Sequence, residues 1–254
     1  ISTKYIEIKN LLSFFRLFKN DAKIYLIEKL IKKGNIIGNI YVEFDNKGRI
    51  KDNFQIDGFV KNGKISSLRK YQLDKINFRF NFVKNNINFN DVSIDLNDKD
   101  FFSPELILQK KKDKFFFKGK VNSKRISLEE KEIKDYINLN NSYLAIRRID
   151  FKIDNDFSFE IDKKYKIKNF ATNLIIDLDN LILNNQYGYI NFFPKAKKNI
   201  KFQKHKVLVS YKKDLLDIKG SGDVLFQENE DKIKYLIKKT NKEINFDIKL
   251  NIFK

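Results

Sequence analysis

The chain of 254 residues has no cysteine, no methionine and no tryptophan, only two prolines, and a single histidine. Without cysteine, the protein has no disulfides, thiolate metal sites or cysteine nucleophiles. One histidine alone cannot supply the common nucleophile–base pairs or zinc sites. No run of about eighteen apolar residues occurs, so we expect no transmembrane helix in this sequence. Because methionine is absent, we expect an internal segment or a processed form, with any signal peptide or membrane anchor outside it.

The charge balance is strongly basic, with 52 lysines and arginines against 33 acidic residues and a net charge of +19. Such an excess indicates an anionic partner, such as nucleic acid, anionic lipid or lipopolysaccharide. However, isoleucine, lysine, asparagine and phenylalanine dominate together, and these are the residues that AT-rich codons specify. We therefore attribute much of the lysine excess to codon usage. With 33% charged and 42% hydrophobic residues, the chain belongs to the globular class.

The most frequent pattern in the sequence is the alternation of apolar with polar residues. Between Ile76 and Phe82, apolar and mostly aromatic residues alternate with polar ones. This period of two predicts a strand with one apolar and one polar face. The pattern recurs in Val92–Leu96, Phe115–Val121, Ile149–Ile153, Phe157–Ile161, Leu174–Leu178 and Ile244–Ile252. Short polar connections favour antiparallel neighbours. The predicted fold is mainly β: an elongated, curved antiparallel sheet, or β-groove, with short capping and joining helices.

Helical patterns are few and short. The apolar patch from Leu11 to Phe18 predicts a helix, and a second is expected to begin near Asn20-Asp21 and to end at Gly34. The predicted apolar face of this second helix consists of Ile24, Ile27, Leu30 and Ile31. Ser127 and Glu130 have the spacing of a capping box that opens a helix towards Tyr136. Residues 231–239 carry Ile233, Leu236 and Ile237 at helical spacing and predict one more amphipathic helix.

These patterns divide the chain into four parts. We predict a helical segment over residues 1–34, a first β-unit over 35–126, a helical joint over 127–142 and a second β-unit over 143–254. Within the first β-unit, Lys61-Asn62-Gly63 is expected to be a turn, and Asn86–Phe89 and Val92–Leu96 are expected to be separate strands.

Residues suited to catalysis are scarce, so we expect no enzyme, no metal site and no cofactor. The only histidine, His205, is flanked by lysines, which is typical of a solvated surface residue. The acidic pairs Asp154/Asp156 and Asp177/Asp179 are expected to be solvated charges beside turns or on polar strand faces. Gly220-Ser221-Gly222 lacks the lysine and helix of a phosphate loop, and glycines in a strand indicate a bulge or bend.

Aromatic and cationic residues are segregated onto opposite faces of the predicted strands. Proteins that bind single-stranded nucleic acid place the two together, so that bases stack while phosphates are neutralised. The segregation therefore argues against nucleic acid. The apolar face has two possible roles: it packs against a second sheet as a sandwich core, or it stays open as a trough for acyl chains. Large side chains along this face and the scarcity of covering helices favour the trough.

The pattern of alternating segments from about residue 20 to 125 resembles the AsmA-like superfamily, which includes the AsmA, TamB and YhdP proteins of Gram-negative envelopes. The resemblance rests on residues 38–45, 54–60, 76–82, 87–96 and 117–121. The preceding stretch, residues 21–38, is similar to the segment that introduces the β-repeats in YhdP-type chains. The resemblance implies a periplasmic β-groove, anchored in the inner membrane by a helix outside this segment, along which phospholipids move towards the outer membrane. It implies no catalytic residues.

We therefore expect a non-enzymatic lipid-transfer or envelope-maintenance segment whose partners are phospholipids or other acyl lipids. The alternatives are a closed β-sandwich that binds no lipid and a nucleic-acid-binding domain. The residues expected to line the lipid groove are Ile76, Phe78, Phe80, Phe82, Phe89, Ile94, Leu96, Phe115, Phe117, Ile149, Phe151, Ile153, Phe157 and Phe159.

Overall fold

In a computed structural model of the chain, the described residues are 2–18, 25, 28–49, 51, 54–68, 71–136, 146–184 and 197–252. They are mainly β-strand and the strands pair antiparallel, so the prediction of a mainly β, antiparallel fold with short helices is confirmed. The chain divides into two compact units. Unit 1 comprises Ile1–Asn122 with Ser158–Lys168, and unit 2 comprises Ser123–Phe157 with Asn169–Lys254.

Unit 1 is an antiparallel meander whose strands are hydrogen-bonded in chain order. Its elements are β1 (Ile6–Glu7), α1 (Ile8–Phe18), β2 (Ile31–Tyr41), β3 (Gln55–Leu68), β4 (Tyr71–Val83), β5 (Asn86–Leu96), β6 (Lys99–Lys111) and β7 (Lys114–Ser123). The helix expected over Leu11–Phe18 is present as α1, which packs against β1 and β2. In the part of unit 1 that the structure describes, the main contacts of β3, β4 and β5 are with their neighbours in the sheet.

Unit 2 repeats the meander. Its elements are β8 (Ile126–Glu129), α2 (Glu130–Tyr136), β9 (Ile146–Ile161), β10 (Ile167–Asn184), β11 (Asn199–Lys212), β12 (Leu215–Leu225), β13 (Asp231–Lys239) and β14 (Ile244–Asn251). Strands β9 to β14 are hydrogen-bonded in chain order, and β8 pairs with β9. The last strand, β14, is exposed along its whole length. Residues 137–145 are outside the described part, so the predicted end of the helical joint at residue 142 is not described.

The predicted second N-terminal helix is wrong at its C-terminal end. Residues 25 and 28–30 are helical, but β2 begins at Ile31, and Lys32, Lys33 and Gly34 belong to this strand. The segment pairs with β3, which satisfies its backbone hydrogen bonds better than a short isolated helix would. Gly34 does not end a helix. It allows β2 to lie close to Ile8 and Gly63, because a Cβ at this position would press on the Ile8 side chain and on the backbone of Gly63. The expected residues Asn20, Asp21, Ile24 and Ile27 lie outside the described part.

The predicted helix over residues 231–239 is also wrong, because this segment is strand β13. Its apolar residues fit a helix as Ile233, Leu236 and Ile237, but they fit a strand equally well as Ile233, Tyr235 and Ile237. A short apolar run does not distinguish the two periods. Partners on both sides decide the outcome, since β13 is paired with β12 and β14 along its length.

Strand irregularities explain two further errors. Lys61-Asn62-Gly63 lies inside β3 as a bulge, with Asn62 at a φ of 54° and a register shift between Val60 and Gly63. The two strands predicted over residues 86–96 are one strand, β5, interrupted at Asp91 by a φ of 52°. The extra residue at a bulge keeps the apolar side chains before and after it on one face.

The helix predicted after Ser127 is present as α2, but Ser127 is not its cap. The helix begins at Glu130, and the backbone N–H of Glu129 donates to the Glu132 carboxylate at 3.1 Å. Ser127 lies in β8, and its hydroxyl donates instead to Asp150 at 2.6 Å. The segment between the predicted cap and the helix pairs with β9, so the helix starts later than its sequence signal indicates.

Candidate functional site: an apolar sheet face

In unit 1 the structure brings the predicted residues of β4 and β5 onto one face. The alternating residues Ile76, Phe78, Phe80 and Phe82 share a side of β4, and Phe80 lies directly opposite Phe89 of β5. Directly opposite residues of an antiparallel pair share a face. Beyond the bulge at Asp91, Leu96 lies opposite Leu73, so Ile94 and Leu96 return to this face. We call it the apolar face.

The phenylalanine rings of this face contact one another. The rings of Phe78 and Phe89 meet edge to face with centroids 5.4 Å apart, and Phe78 and Phe80 are 6.3 Å apart. Phe82 contacts Phe54 at 5.5 Å. Edge-to-face pairs of this kind contribute about 0.5–1.5 kcal/mol beyond the area that they bury. The face is therefore a pre-formed aromatic surface.

The apolar face continues onto β7 and the end of β9. A Cβ at Gly119 would overlap the side chain of Leu106, which lies opposite Phe89, so Gly119 lies on the apolar face. Phe115 and Phe117 alternate with Gly119 along β7 and share its side. Phe117 then contacts Phe159 with ring centroids 5.1 Å apart.

The apolar face extends further than the sequence analysis predicted. Register places Ile56 opposite Phe82 and Val60 opposite Phe78, and it places Ile40 and Ile36 of β2 opposite these two residues of β3. Ile40 and Ile56 lie on different strands, and only the pairing of β2 and β3 with β4 shows that they share a face with Phe82. A row of small residues crosses the same face, because Gly38 lies opposite Gly58 and Gly58 opposite Phe80.

The residues of this face differ in accessibility. Ile76 is buried at 7% exposure, and Val60 and Val92 beside it are buried too. The predicted phenylalanines of β4 and β5 are half-buried, whereas Phe115 is 37% exposed. Ile76 therefore packs beneath its neighbours, while the phenylalanine rings form the surface.

The remaining predicted residues lie in unit 2. Ile149 and Phe151 share one side of β9 and lie opposite Leu128 and Ile126 of β8. Ile153 and Phe157 continue this side by alternation, although Asn155 interrupts the apolar run between them. All four predicted residues are half-buried. The four predicted residues of unit 2 thus share one side of β9.

The opposite side of β9 carries a buried carboxylate. Asp150 is 2% exposed, and it accepts hydrogen bonds from Ser127 Oγ at 2.6 Å, Arg148 Nε at 3.0 Å and Asn180 Nδ2 at 3.2 Å. Burial raises the pKa of this carboxyl, but the three donors outweigh burial and lower the pKa to about 2. A carboxylate so saturated with donors is a poor general base, so the cluster stabilises the fold.

The expectation for His205 is wrong: the side chain is buried at 3% exposure. By alternation along β11, His205 lies on the side of Val207 and Val209. There it faces Leu178 of β10, and it contacts the ring of Tyr235 with centroids 6.1 Å apart.

The glycines of Gly220-Ser221-Gly222 make room for these two rings. A Cβ at Gly222 would overlap the imidazole of His205, and one at Gly220 would overlap the ring of Tyr235. Burial lowers the pKa of His205, although the carbonyl of Asp223, which accepts from Nε2 at 3.0 Å, opposes that effect. The histidine is therefore a neutral part of the packing.

The described residues contain no cluster of three or more side chains suited to hold a metal ion. Of the acidic pairs, Asp156, Asp177 and Asp179 are exposed, and Asp179 forms an ion pair with Arg125 at 3.2 Å. Among the helices that the structure describes, none is long and apolar enough to cross a membrane. No model of a known protein family matches the chain, and no curated protein and no solved structure is significantly similar to it.

Proposed function

We propose that the protein is a non-enzymatic lipid-binding segment whose apolar face holds acyl chains. One observation carries the proposal: in the described part of unit 1, one apolar face extends over β2 to β7 of a single sheet, and its phenylalanines are half-buried or exposed instead of buried. Extended apolar surfaces that stay accessible to solvent usually bind a partner, a ligand or a membrane.

The chemistry of the face suits acyl chains. Its accessible part consists of half-buried phenylalanine rings with aliphatic neighbours, and polar side chains lie on the opposite side of the strands. Each methylene buried on the face contributes about 0.8 kcal/mol, so affinity comes chiefly from the tails and discriminates little between headgroups. A periplasmic location, an inner-membrane anchor outside this segment and movement of phospholipid between the two membranes belong to the proposal. They rest on the resemblance to AsmA-like proteins.

The first test is lipid retention, measured by native mass spectrometry and lipid extraction on the whole chain expressed in a Gram-negative host. Phe80→Asp places a charge in the centre of the apolar face. The matched control is Phe59→Asp, because Phe59 lies on β3 opposite Arg79, on the polar side of the same sheet. We expect wild type and Phe59→Asp to carry phospholipid and Phe80→Asp to lose it, with the β circular dichroism spectrum retained. Equal lipid loads in all three proteins would contradict the proposal.

A second test needs no charged substitution. Because the chain has no native cysteine, single cysteines accept a fluorophore without background. Phe117→Cys and Phe116→Cys place the label at adjacent residues on opposite faces of β7. Phospholipid with a spin label on its acyl chain should quench the fluorophore at residue 117 and leave residue 116 bright. No quenching at either position would indicate that protein covers the apolar face, as in the closed β-sandwich. Equal quenching at both positions would indicate that lipid does not distinguish the two faces, and it too would contradict the proposal.

A further inference from the structure

A group of lysines gathers on the polar side of unit 2, away from the side chains of Val207, Val209 and Tyr235. Two adjacent rows of directly opposite residues cross strands β11 to β14. One row consists of Lys206, Ser221, Lys234 and Lys249, and the other of Leu208, Lys219, Leu236 and Asp247. The rows line a depression of about 460 Å³. We call Lys206, Lys219, Lys234, Lys249 and Ser221 the lysine pocket.

The lysines of this pocket lack the partners that lysines find elsewhere on the same strands. In the part of the chain that the structure describes, none of the four lies within ion-pair distance of a carboxylate. By contrast, Asp223 on β12 is held by Lys232 at 3.0 Å and Lys204 at 3.5 Å. Codon usage accounts for much of the lysine excess, but it does not explain why these four lysines share one depression.

The arrangement is unfavourable unless an anion occupies it. Lys234 lies directly opposite Lys249, and like charges at directly opposite positions destabilise a sheet. Among the described residues that line the depression, Asp247 alone is acidic, against four ammonium groups. The excess of positive charge at one place is what an anion-binding site requires.

We propose that the lysine pocket binds phosphate groups held close together, as in a diphosphate or a phosphorylated lipid headgroup. Phosphate oxygens accept several hydrogen bonds at once, so they are matched by ammonium groups and by the hydroxyl of Ser221. Across its four strands the pocket is about 14 Å wide, and its two rows of residues are about 7 Å apart. A single phosphate group is too small to contact lysines over this whole area. Leu208, 43% exposed, and Leu236 give it an apolar border.

The test compares two double variants that remove the same charge. Lys234→Gln/Lys249→Gln removes two lysines of the pocket, and Lys238→Gln/Lys239→Gln removes two exposed lysines at the end of β13, outside it. The probes are inorganic pyrophosphate, orthophosphate, and vesicles of phosphatidylcholine with or without phosphatidic acid. We expect wild type to bind pyrophosphate more tightly than orthophosphate. The pocket variant should bind pyrophosphate at least roughly tenfold more weakly than wild type, and the affinity of the control variant should stay within about twofold of wild type.

The choice of probes distinguishes a soluble phosphorylated ligand from a lipid headgroup. Binding to pyrophosphate that only the pocket variant loses supports a soluble ligand, and binding confined to phosphatidic acid vesicles supports a lipid headgroup. Equal loss in both variants, or an oligonucleotide that binds both variants alike and more tightly than pyrophosphate, would overturn the proposal. The pocket residues belong to unit 2 and Phe80 belongs to unit 1, so Phe80→Asp should leave these affinities unchanged.

A stability measurement provides an independent check. Since Lys234 repels its neighbours in the free protein, Lys234→Gln should raise the midpoint of urea unfolding at low salt, and added salt or pyrophosphate should reduce the difference. Lys239→Gln should leave the midpoint unchanged, because the residues directly opposite Lys239, Leu216 and Ile244, are uncharged. A lower midpoint for Lys234→Gln would show that the lysine stabilises the empty fold, and it would count against an anion site.

Discussion

Removing the charge of Asp150 tests the account of the polar cluster on β9. In the folded protein the carboxyl has a pKa of about 2, against an ordinary value of 3.8. This difference corresponds to about 2.4 kcal/mol of stability at neutral pH. Breaking a fully buried ion pair costs about 3–5 kcal/mol. In this cluster Arg148 is 45% exposed, and it would retain its ion pair with Glu129 at 3.2 Å after the substitution. We therefore expect Asp150→Asn to cost less than a fully buried pair, about 2 kcal/mol.

The pH dependence gives this prediction its specificity. Because the folded-state pKa is lowered, the contribution is complete above about pH 4 and is lost as the pH falls towards 2, where the folded carboxyl also takes up a proton. We expect urea unfolding, followed by circular dichroism, to show wild type more stable than Asp150→Asn by about 2 kcal/mol at pH 7. The difference should shrink progressively between pH 4 and pH 2.

Asp156→Asn is the matched control, since Asp156 is exposed on the same side of the same strand. It should change the free energy of unfolding by less than about 0.5 kcal/mol. Equal losses in the two variants at pH 7 would refute the assignment of a special environment to Asp150. A difference that persists undiminished to pH 2 would show that packing, and not charge, makes the contribution.

Three further predictions concern packing. Since burial lowers the pKa of His205, the free energy of unfolding should fall as the pH drops from 8 to 5, and His205→Phe should remove that slope in urea titrations; an unchanged slope would place the titration elsewhere. Gly222→Ala should cost about 1–3 kcal/mol in thermal or urea unfolding through overlap with the imidazole, and His205→Ala in the same chain should relieve that cost; additive losses would contradict the overlap. Ile76→Ala should cost about 2–5 kcal/mol in urea unfolding and Phe115→Ala far less, because only Ile76 is buried; similar losses would contradict the assigned difference in burial.

The fold class and the apolar face were predictable from the sequence because they depend on local periodicity. Residues 76–82 alternate so regularly that a strand with one apolar face is the only simple interpretation, and the structure places them so. The segment 231–239 shows the limit, since its apolar residues fit both periods. There, pairing with β12 and β14 decided the outcome.

Side-chain environments that depend on bulges and register were not predictable from one strand at a time. The flanking lysines indicated a solvated His205, but pairing with the neighbouring strands packs the ring against Leu178 and Tyr235, and Gly222 on the next strand makes room for it. On β14 alone, Lys249 shares a face with Asp247, so this face carries mixed charge. Pairing with β13, and through it with β12 and β11, placed Lys249 among three other lysines. Alternation is a property of neighbours along the chain, whereas the grouping of charges follows from the hydrogen-bonded register between strands.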